Sequence, residues 1–187
     1  FNIIYCIMFH KLKAYYFVDD FNINQLFELG KKINIIYRNY KEKKPESTII
    51  KLNNFCKSSK RKLFVSNDIK AAIKHNLNGV YLPAFNRKLV YKNLKTKNNF
   101  QIIGSAHTIP EIRIKELQGC DEIFLGPLFH NPKNKYFLDI IRFNKLKLST
   151  KKKINALGGI NKTNLKKLGI INVNGFGAIS MYKKKAP

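Results

Sequence analysis

The sequence predicts an α/β protein, a small (β/α)8 TIM barrel, from three observations. Eight short apolar runs recur along the 187 residues, each followed by a segment with helical spacing or by the C-terminal tail. The runs are continuous rather than alternating, which is typical of parallel strands buried on both faces. With 44% hydrophobic residues, the chain is long enough for one domain with a full core. A doubly wound open sheet is the alternative that this pattern allows.

Strand-like runs and helical segments alternate from residue 13 to residue 180. The predicted strands are "KAYYFVDD" (13–20), "INIIYRN" (33–39), "KLFVSND" (62–68), "GVYLP" (79–83), "FQIIGSA" (100–106), "EIFLGPLF" (122–129), "INALGGI" (154–160) and "VNGFGAIS" (173–180). The predicted helices are "INQLFELGKK" (23–32), "TIIKLNNFCKS" (48–58), "IKAAIKHNL" (69–77), "KLVYKNLK" (88–95), "IPEIRIKELQG" (109–119), "FLDIIRFNKL" (137–146) and "NKTNLKKLG" (161–169). We therefore assign residues 13–187 to the barrel and residues 1–12 to an N-terminal extension.

The charge of the chain favours anionic partners. Lysine and arginine number 36 against 11 acidic residues, a formal net charge of +25. The lysines are scattered through every segment, which indicates a solvated basic surface that steers anionic ligands rather than a specific nucleic-acid face. Three widely spaced cysteines predict a reducing compartment, the cytoplasm. The opening "FNIIYCIMF" is too short for a membrane span and lacks signal-peptide features, so no membrane partner is expected. The sequence leaves the oligomeric state open, a homo-oligomer included.

The stretch "INALGGINKTNLKKL" (154–168) places two adjacent glycines between a strand and a helical segment. Glycine lets a ligand approach the backbone closely, and a helix N-terminus presents free N–H groups to an anion. The stretch therefore suggests a phosphate cradle. A tight turn without a ligand is the other interpretation.

Polar and small residues gather where the predicted strands end. In a (β/α)8 barrel these ends share one face, where ligands bind. The residues are Asp19, Asp20, Arg38, Asn67, Asp68, Ser105, His107, Thr108, Gly126, Pro127, Gly158, Gly159, Gly177 and Ser180. Carboxylates, an arginine, hydroxyls and bare backbone together suit an anionic, metal-associated substrate.

Four motifs in register extend this hypothesis to a family. They are "FVSNDIKAAIKHNLNGVYLP", "IIGSAHTIPE", "DEIFLGPLF" and "ALGGINKTNL" with "GFGAIS". From about residue 13 to residue 180 the chain resembles the thiamine-phosphate synthase/TenI family. The resemblance implies a (β/α)8 barrel and a transferase of thiamine biosynthesis. Its substrates would be two small molecules, hydroxymethylpyrimidine diphosphate and thiazole phosphate, which are joined with Mg²⁺ as pyrophosphate leaves.

The resemblance also implies roles for individual residues. Arg38 would bind the diphosphate, Asn67 would contact the pyrimidine or the diphosphate, and Asp68 would ligate Mg²⁺. Ser105 and His107 would be catalytic residues. Ser105 matches the family's serine near the diphosphate and the pyrimidine, so it would bind substrate as well. His107 lies where the related thiazole tautomerases carry a catalytic histidine, although synthases also often have "SAHT" there. The remaining substrate-binding residues are Thr108, Lys133, Lys135, Gly158, Gly159 and Ser180. Capping of the next helix is the other interpretation of Asn67 and Asp68, and solvated or structural positions are the alternatives for Arg38 and His107.

Three positions depart from the family pattern. Tyr40 stands where the family has a lysine, and Ile36 where it has a glutamine. The neutral Asn86 falls near the second metal carboxylate of the synthases. A thiazole tautomerase-like or diverged member that keeps the thiazole phosphate site is therefore the alternative function. A basic nucleic-acid-binding protein is less favoured, because no recognition helix or RNA-binding signature is present.

Overall fold

The structure is a computed structural model that describes residues 12–30, 32–42, 45–89, 99–131 and 136–182. Eight parallel strands form a closed barrel in sequence order. The strands are β1 (Lys13–Val18), β2 (Ile33–Tyr37), β3 (Leu63–Ser66), β4 (Gly79–Leu82), β5 (Gln101–Ala106), β6 (Glu122–Leu125), β7 (Lys153–Leu157) and β8 (Gly175–Ala178). The helices are α1 (Ile23–Phe27), α2 (Glu46–Ser58), α3 (Ile69–Lys74), α4 (Ile109–Leu117), α5 (Asp139–Leu148) and α6 (Leu168–Ile171), with a 3₁₀ helix over Leu165–Lys167. The predicted fold class is confirmed.

The pairing of β1 with both β2 and β8 closes the barrel. Lys13 lies opposite Gly175 in the β1–β8 register, and Ala14 lies opposite Phe176. A doubly wound open sheet would leave two edge strands, so that alternative is wrong. Closure satisfies the backbone groups of every strand, which an open edge would expose.

Two hydrophobic cores share the strands. Inside the barrel lies a mainly aromatic cluster, while the larger core fills the space between the strands and the helices. The buried residues of the inner cluster are Tyr15, Phe17, Ile36, Phe64, Tyr81, Ile103 and Phe124. Gly177 belongs to this packing, because a Cβ there would lie 2.7 Å from the Phe17 ring. The barrel axis is therefore filled by side chains.

A polar cluster lies at the amino-terminal end of the barrel. The Glu122 side chain is 1% exposed. Its Oε2 accepts hydrogen bonds from Tyr15 (3.0 Å), Asn155 (2.8 Å) and Asn174 (3.2 Å), and its Oε1 pairs with Lys13. Burial raises the pKa of Glu122, but the hydrogen bonds from Asn155 and Lys13 outweigh it and hold the pKa below its ordinary value. This carboxylate links β1, β6, β7 and the start of β8.

Several predicted elements end earlier than their sequence patterns do. The helix predicted over 23–32 ends at Phe27. The helix predicted over 161–169 is replaced by a turn, the 3₁₀ helix and the one-turn α6. Asn161 Oδ1 accepts hydrogen bonds from the backbone N–H groups of Thr163 and Asn164, which competes with regular helix formation.

Two predictions fall largely outside the described residues. Residues 88–89 of the helix predicted over 88–95 are not helical, and residues 90–95 lie outside the described part. Residues 1–11 of the predicted N-terminal extension lie outside it as well, so the domain boundary stays a prediction. Within the described ranges, no helix has the length and apolar character needed to cross a membrane.

Candidate active site

A cavity of about 310 Å³ opens at the carboxyl ends of the strands. Strands β2 and β5 to β8, with the loops that follow them, supply its walls. The described residues that line it are Arg38, His107, Gly126, Pro127, Asn131, Leu157, Gly158, Gly159, Ile160, Gly177, Ala178, Ile179 and Ser180. Five residues predicted from the sequence as site residues, from four separate segments, thus meet around one cavity: Arg38, His107, Gly158, Gly159 and Ser180.

Arg38 directly follows β2 and is half-buried. Its guanidinium carbon lies 4.9 Å from the centroid of the Phe17 ring, a cation–π arrangement. The Tyr81 phenol lies beside it, and the guanidinium lowers the pKa of that phenol, which burial raises to about 12. These two aromatic neighbours hold the cation at the cavity wall instead of leaving it in bulk solvent.

His107 follows β5 and contacts the loop after β6. Its Nδ1 is hydrogen-bonded to the carbonyl oxygen of Gly126. A carbonyl only accepts, so Nδ1 carries the proton, and in the neutral form of the ring Nε2 is an acceptor. The backbone N–H of His107 donates to Glu111 Oε2 (2.6 Å), while Thr108 Oγ1 accepts from the N–H of Glu111 as the N-cap of α4. The Gly126 carbonyl therefore orients the imidazole, Glu111 holds the backbone of His107, and Thr108 is engaged in capping.

Gly158 and Gly159 both have left-handed backbone angles, with φ of +89° and +69°. A Cβ on Gly158 would lie 2.6 Å from Pro127 Cβ, and one on Gly159 would lie 2.3 Å from the carbonyl oxygen of Phe129. The turn therefore needs glycine to pack against the loop after β6, and it also lines the cavity. The helix start expected directly after the glycines is not formed, so a phosphate here would meet turn backbone rather than a helix N-terminus.

A second cavity of about 510 Å³ lies at the ends of β3 and β4. The described residues that line it are Asn67, Phe85, Asn86, Arg87 and Lys88. Asn67 has a left-handed φ of +62°, and its Oδ1 accepts a hydrogen bond of 2.6 Å from Asn86 Nδ2. Asn86, near the position of the second metal carboxylate of the synthases, thus contacts Asn67, which directly precedes the expected ligand Asp68.

Tyr40 closes one side of this region. Its hydroxyl is 2.7 Å from Ser66 Oγ, and its ring packs edge-on against Phe85 with centroids 5.7 Å apart. Where the family resemblance implies a lysine, this chain has an aromatic contact between the loops after β2 and β4.

Asp68 is the N-cap of α3. Its Oδ1 accepts a hydrogen bond of 2.9 Å from the backbone N–H of Ala71. In the part of the chain that the structure describes, no group of three His, Cys, Asp or Glu side chains gathers as a metal site. A Mg²⁺ ion carried by substrate phosphates needs one or two protein carboxylates. The site fits such an ion through a single carboxylate, with one Asp68 oxygen already engaged.

Ser105 lies on β5 and is buried. Burial raises the pKa of the Tyr81 phenol, and the nearby Ser105 side chain lowers it. Ser105, Asp68 and Thr108 are absent from the described residues that line either cavity. Lys133 and Lys135 lie outside the described residues. The roles of all these residues stay predictions.

Three polar residues that line the two cavities were missed by the sequence analysis: Arg87, Lys88 and Asn131. Tyr81, which lies beside Arg38 without lining either cavity, was missed as well. Tyr81 lies in a continuous apolar strand, where the sequence pattern predicts that a tyrosine belongs to the hydrophobic core. Arg87 and Lys88 cannot be distinguished by sequence from the many other basic residues, which are scattered throughout the chain. Asn131 follows β6 in a loop with no regular pattern.

The position of these cavities indicates the class of protein to which the chain belongs. Proteins with a (β/α)8 barrel bind their ligands at the carboxyl ends of the strands, where both openings lie here. Within that class, the chain belongs to the family described as thiamine monophosphate synthase, whose sequence profile matches residues 22–181.

Individual relatives agree with this family. A curated protein of Prochlorococcus marinus named thiamine-phosphate synthase is 30% identical over 132 residues, which cover 69% of this chain. The match spans 38% of the length of that relative. A solved structure of a thiamine phosphate pyrophosphorylase from Pyrococcus furiosus superposes with a TM-score of 0.75 at 23% identity, covering 93% of this chain and 89% of that one. A Bacteroides thetaiotaomicron structure of the same name has a TM-score of 0.59 at 16% identity, covering 91% and 83%. At these identities the two structures show a shared fold.

Proposed function

We propose that this protein is a thiamine-phosphate synthase that joins hydroxymethylpyrimidine diphosphate to thiazole phosphate and releases pyrophosphate. Family membership and the name of the curated relative support the proposal. The observation that carries it is that Arg38 and the Gly158–Gly159 turn line one cavity. A guanidinium and an open backbone turn are two elements suited to anions, and the reaction brings two phosphorylated molecules together.

The bond changes explain why the site needs cationic and fixed polar groups. The bond between the pyrimidine methylene carbon and the diphosphate oxygen breaks, and its electron pair leaves with the diphosphate. The thiazole nitrogen then donates its lone pair to the methylene carbon. Negative charge grows on the leaving oxygen, so fixed donors near that oxygen stabilise the transition state. Arg38, beside Phe17 and Tyr81, is a cation placed for this role.

Asp68 is the residue that would hold Mg²⁺, with Asn67 beside it. When bound, Mg²⁺ neutralises the charge on the leaving diphosphate. In the cavity of about 310 Å³, Ser180 and the glycine turn would hold the thiazole phosphate, because both border this opening. Thr108 orients α4 and His107 through its cap. We propose the cytoplasm as the compartment, where the free, buried thiols of Cys56 and Cys120 stay reduced.

A thiazole tautomerase-like activity is the second candidate, and His107 favours it. With Nδ1 bonded to Gly126, the Nε2 atom of a neutral ring can accept a proton from a thiazole carbon. Such a reaction needs neither a diphosphate nor a metal, which agrees with the single carboxylate at the end of β3.

A coupling assay with the purified protein, both substrates and Mg²⁺ tests the proposal. We expect thiamine phosphate and pyrophosphate to form in equal amounts. Absence of product, with thiazole tautomer exchange that His107→Asn abolishes, would replace the synthase proposal with the second candidate.

A further inference from the structure

Lys115 is a buried cation that the predicted function does not use. It lies on α4, is 0% exposed, and belongs to the face that Ile112 also buries. Its Nζ donates three hydrogen bonds of 2.8 Å, to the carbonyl oxygens of Pro83 and Asn86 and to Gln118 Oε1. All three acceptors are neutral. Among the residues that the structure describes, no carboxylate forms an ion pair with Lys115.

Glycine at position 104 leaves space for this side chain. A Cβ on Gly104 of β5 would lie 2.7 Å from Lys115 Cδ, so a larger residue there would clash with the aliphatic part of Lys115. Burial also lowers the pKa of the Lys115 ammonium to about 8. A buried charge with no ion-pair partner among the described residues is unfavourable unless hydrogen bonds offset the loss of hydration.

The hydrogen bonds of Lys115 fix the segment 83–88 from below. Gln118 Nε2 adds bonds to the carbonyl oxygens of Asn86 (3.0 Å) and Lys88 (2.9 Å) and to Asn86 Oδ1 (3.2 Å). Because the Asn86 carbonyl points toward Lys115 and the peptide is planar and trans, the N–H of Arg87 points the opposite way. The segment thus directs its carbonyls inward, toward the buried cation.

The outer side of the same segment is basic and polar. Arg87 and Lys88 are exposed and line the cavity of about 510 Å³ together with Asn67 and Asn86. Of the described residues lining this cavity, none is acidic. Two exposed cations, two amides and a buried cation behind them form a positive region of a size that admits a phosphate-type anion.

We propose that Arg87 and Lys88 contact the diphosphate group directly in a subsite, the cavity beside Asn67, and that Lys115 is the positioning residue that holds segment 83–88 beneath them. The identity of the natural ligand rests on the proposed function; the anion chemistry rests on the residues. In this chain the charge of the diphosphate is met at the β4 loop by side-chain cations, where a neutral asparagine replaces the carboxylate that the family resemblance implies.

Calorimetric titration with inorganic pyrophosphate in metal-free buffer containing EDTA tests the subsite. We expect the unmodified protein to bind pyrophosphate, and the variant Arg87→Gln/Lys88→Gln to bind it roughly tenfold to a hundredfold more weakly, because each loses a charge-assisted hydrogen bond. The matched control is Lys51→Gln/Lys57→Gln on the exposed side of α2, which removes the same charge far from the loop. We expect that control to bind pyrophosphate as the unmodified protein does.

The role of Lys115 is tested with the variants Lys115→Met and Lys115→Met/Gln118→Leu. The double variant also removes Gln118 Oε1, which loses its hydrogen-bond donor in the single variant. We expect both to lose pyrophosphate affinity while thiazole phosphate affinity is unchanged, a split that general unfolding would not produce. Equal pyrophosphate binding by Arg87→Gln/Lys88→Gln and the unmodified protein would overturn the subsite, as would no metal-free binding at all. The coupling assay is separate: pyrophosphate binding that depends on Arg87 and Lys88, without product formation, would refute the synthase and leave the subsite standing.

Discussion

Asp68 offers two carboxylate oxygens, and the structure assigns a partner to one of them. Oδ1 caps α3 through Ala71, and in the proposed function the Asp68 carboxylate would also hold Mg²⁺. Asn caps a helix as well as Asp does, so Asp68→Asn keeps the fold and removes the charge. We expect a roughly hundredfold or greater loss in the Mg²⁺-dependent coupling rate, measured across a Mg²⁺ series.

Asp121→Asn is the matched control for that variant. Asp121 precedes β6 at the opposite end of the barrel, where its Oδ2 accepts a hydrogen bond of 2.9 Å from Ile102 N. An asparagine oxygen can take over that bond, so the coupling rate should be nearly unchanged. An unaltered rate and Mg²⁺ dependence in Asp68→Asn would remove Asp68 from the metal site.

Ser180 and Gly159 are predicted to act on the thiazole phosphate, but their variants are expected to behave differently. Ser180 is exposed at the cavity rim, so Ser180→Ala should weaken thiazole phosphate binding without affecting pyrophosphate binding. Gly159→Val would drive a Cβ into the Phe129 carbonyl, so we expect it to lower the melting temperature as well. Separate titrations with each ligand check both. An equal loss for both ligands in Ser180→Ala would place Ser180 outside the phosphate site.

At the scale of elements, Glu122 joins strands that are distant in sequence. We expect Glu122→Gln to lower the free energy of unfolding by about 2 kcal/mol at neutral pH, since hydrogen bonds to a buried charge are lost. The folded-state pKa of Glu122 lies below 4.5, so its stabilisation is present above that pH and is lost as the pH falls through the folded value.

Urea unfolding of the unmodified protein and of Glu122→Gln across pH checks this prediction. The difference between their free energies of unfolding should be constant from roughly pH 6 to roughly pH 8 and should become smaller in acid. Glu46→Gln is the control, because Glu46 pairs with Lys74 in solvent and such pairs contribute little. A difference in the free energy of unfolding that grows below pH 4.5 would show that Glu122 is protonated in the folded protein.

The strands were predictable because burial on both faces leaves a continuous apolar run in the sequence, as in "GVYL" of β4. The segment after β7 was not, since its helical spacing competes with the Asn161 side chain, whose hydrogen bonds depend on three-dimensional geometry. Lys115 did leave a signal: a lysine three residues after Ile112 lies on the same helical face. That signal alone does not reveal which carbonyls the ammonium would meet.

At the scale of the whole molecule, the sequence predicted that polar residues would share one face but not which of them would share a cavity. Parallel strands bring Arg38, His107 and Ser180 to the same end of the barrel. The division into two cavities depends on loop conformations, among them the contact of Tyr40 with Phe85, that no periodicity encodes.

The net charge of +25 sets the response of the folded protein to salt. Few described ion pairs offset so many cations, so repulsion between like charges destabilises the compact state. We expect the melting temperature to rise by several degrees between roughly 20 mM and roughly 300 mM NaCl, as screening shortens the range of repulsion. Thermal unfolding followed by circular dichroism measures it, with sucrose as a control for general stabilisation. A falling melting temperature would mean that ion pairs outweigh repulsion.

Among the described residues, the aromatic cluster inside the barrel and the Glu122 cluster at its amino-terminal end fill the barrel axis. In the proposed reaction, both substrates would therefore enter, and both products would leave, at the carboxyl ends of the strands. We expect a large excess of the substrate that binds nearer the opening to inhibit turnover, because it would block access to the substrate that binds deeper.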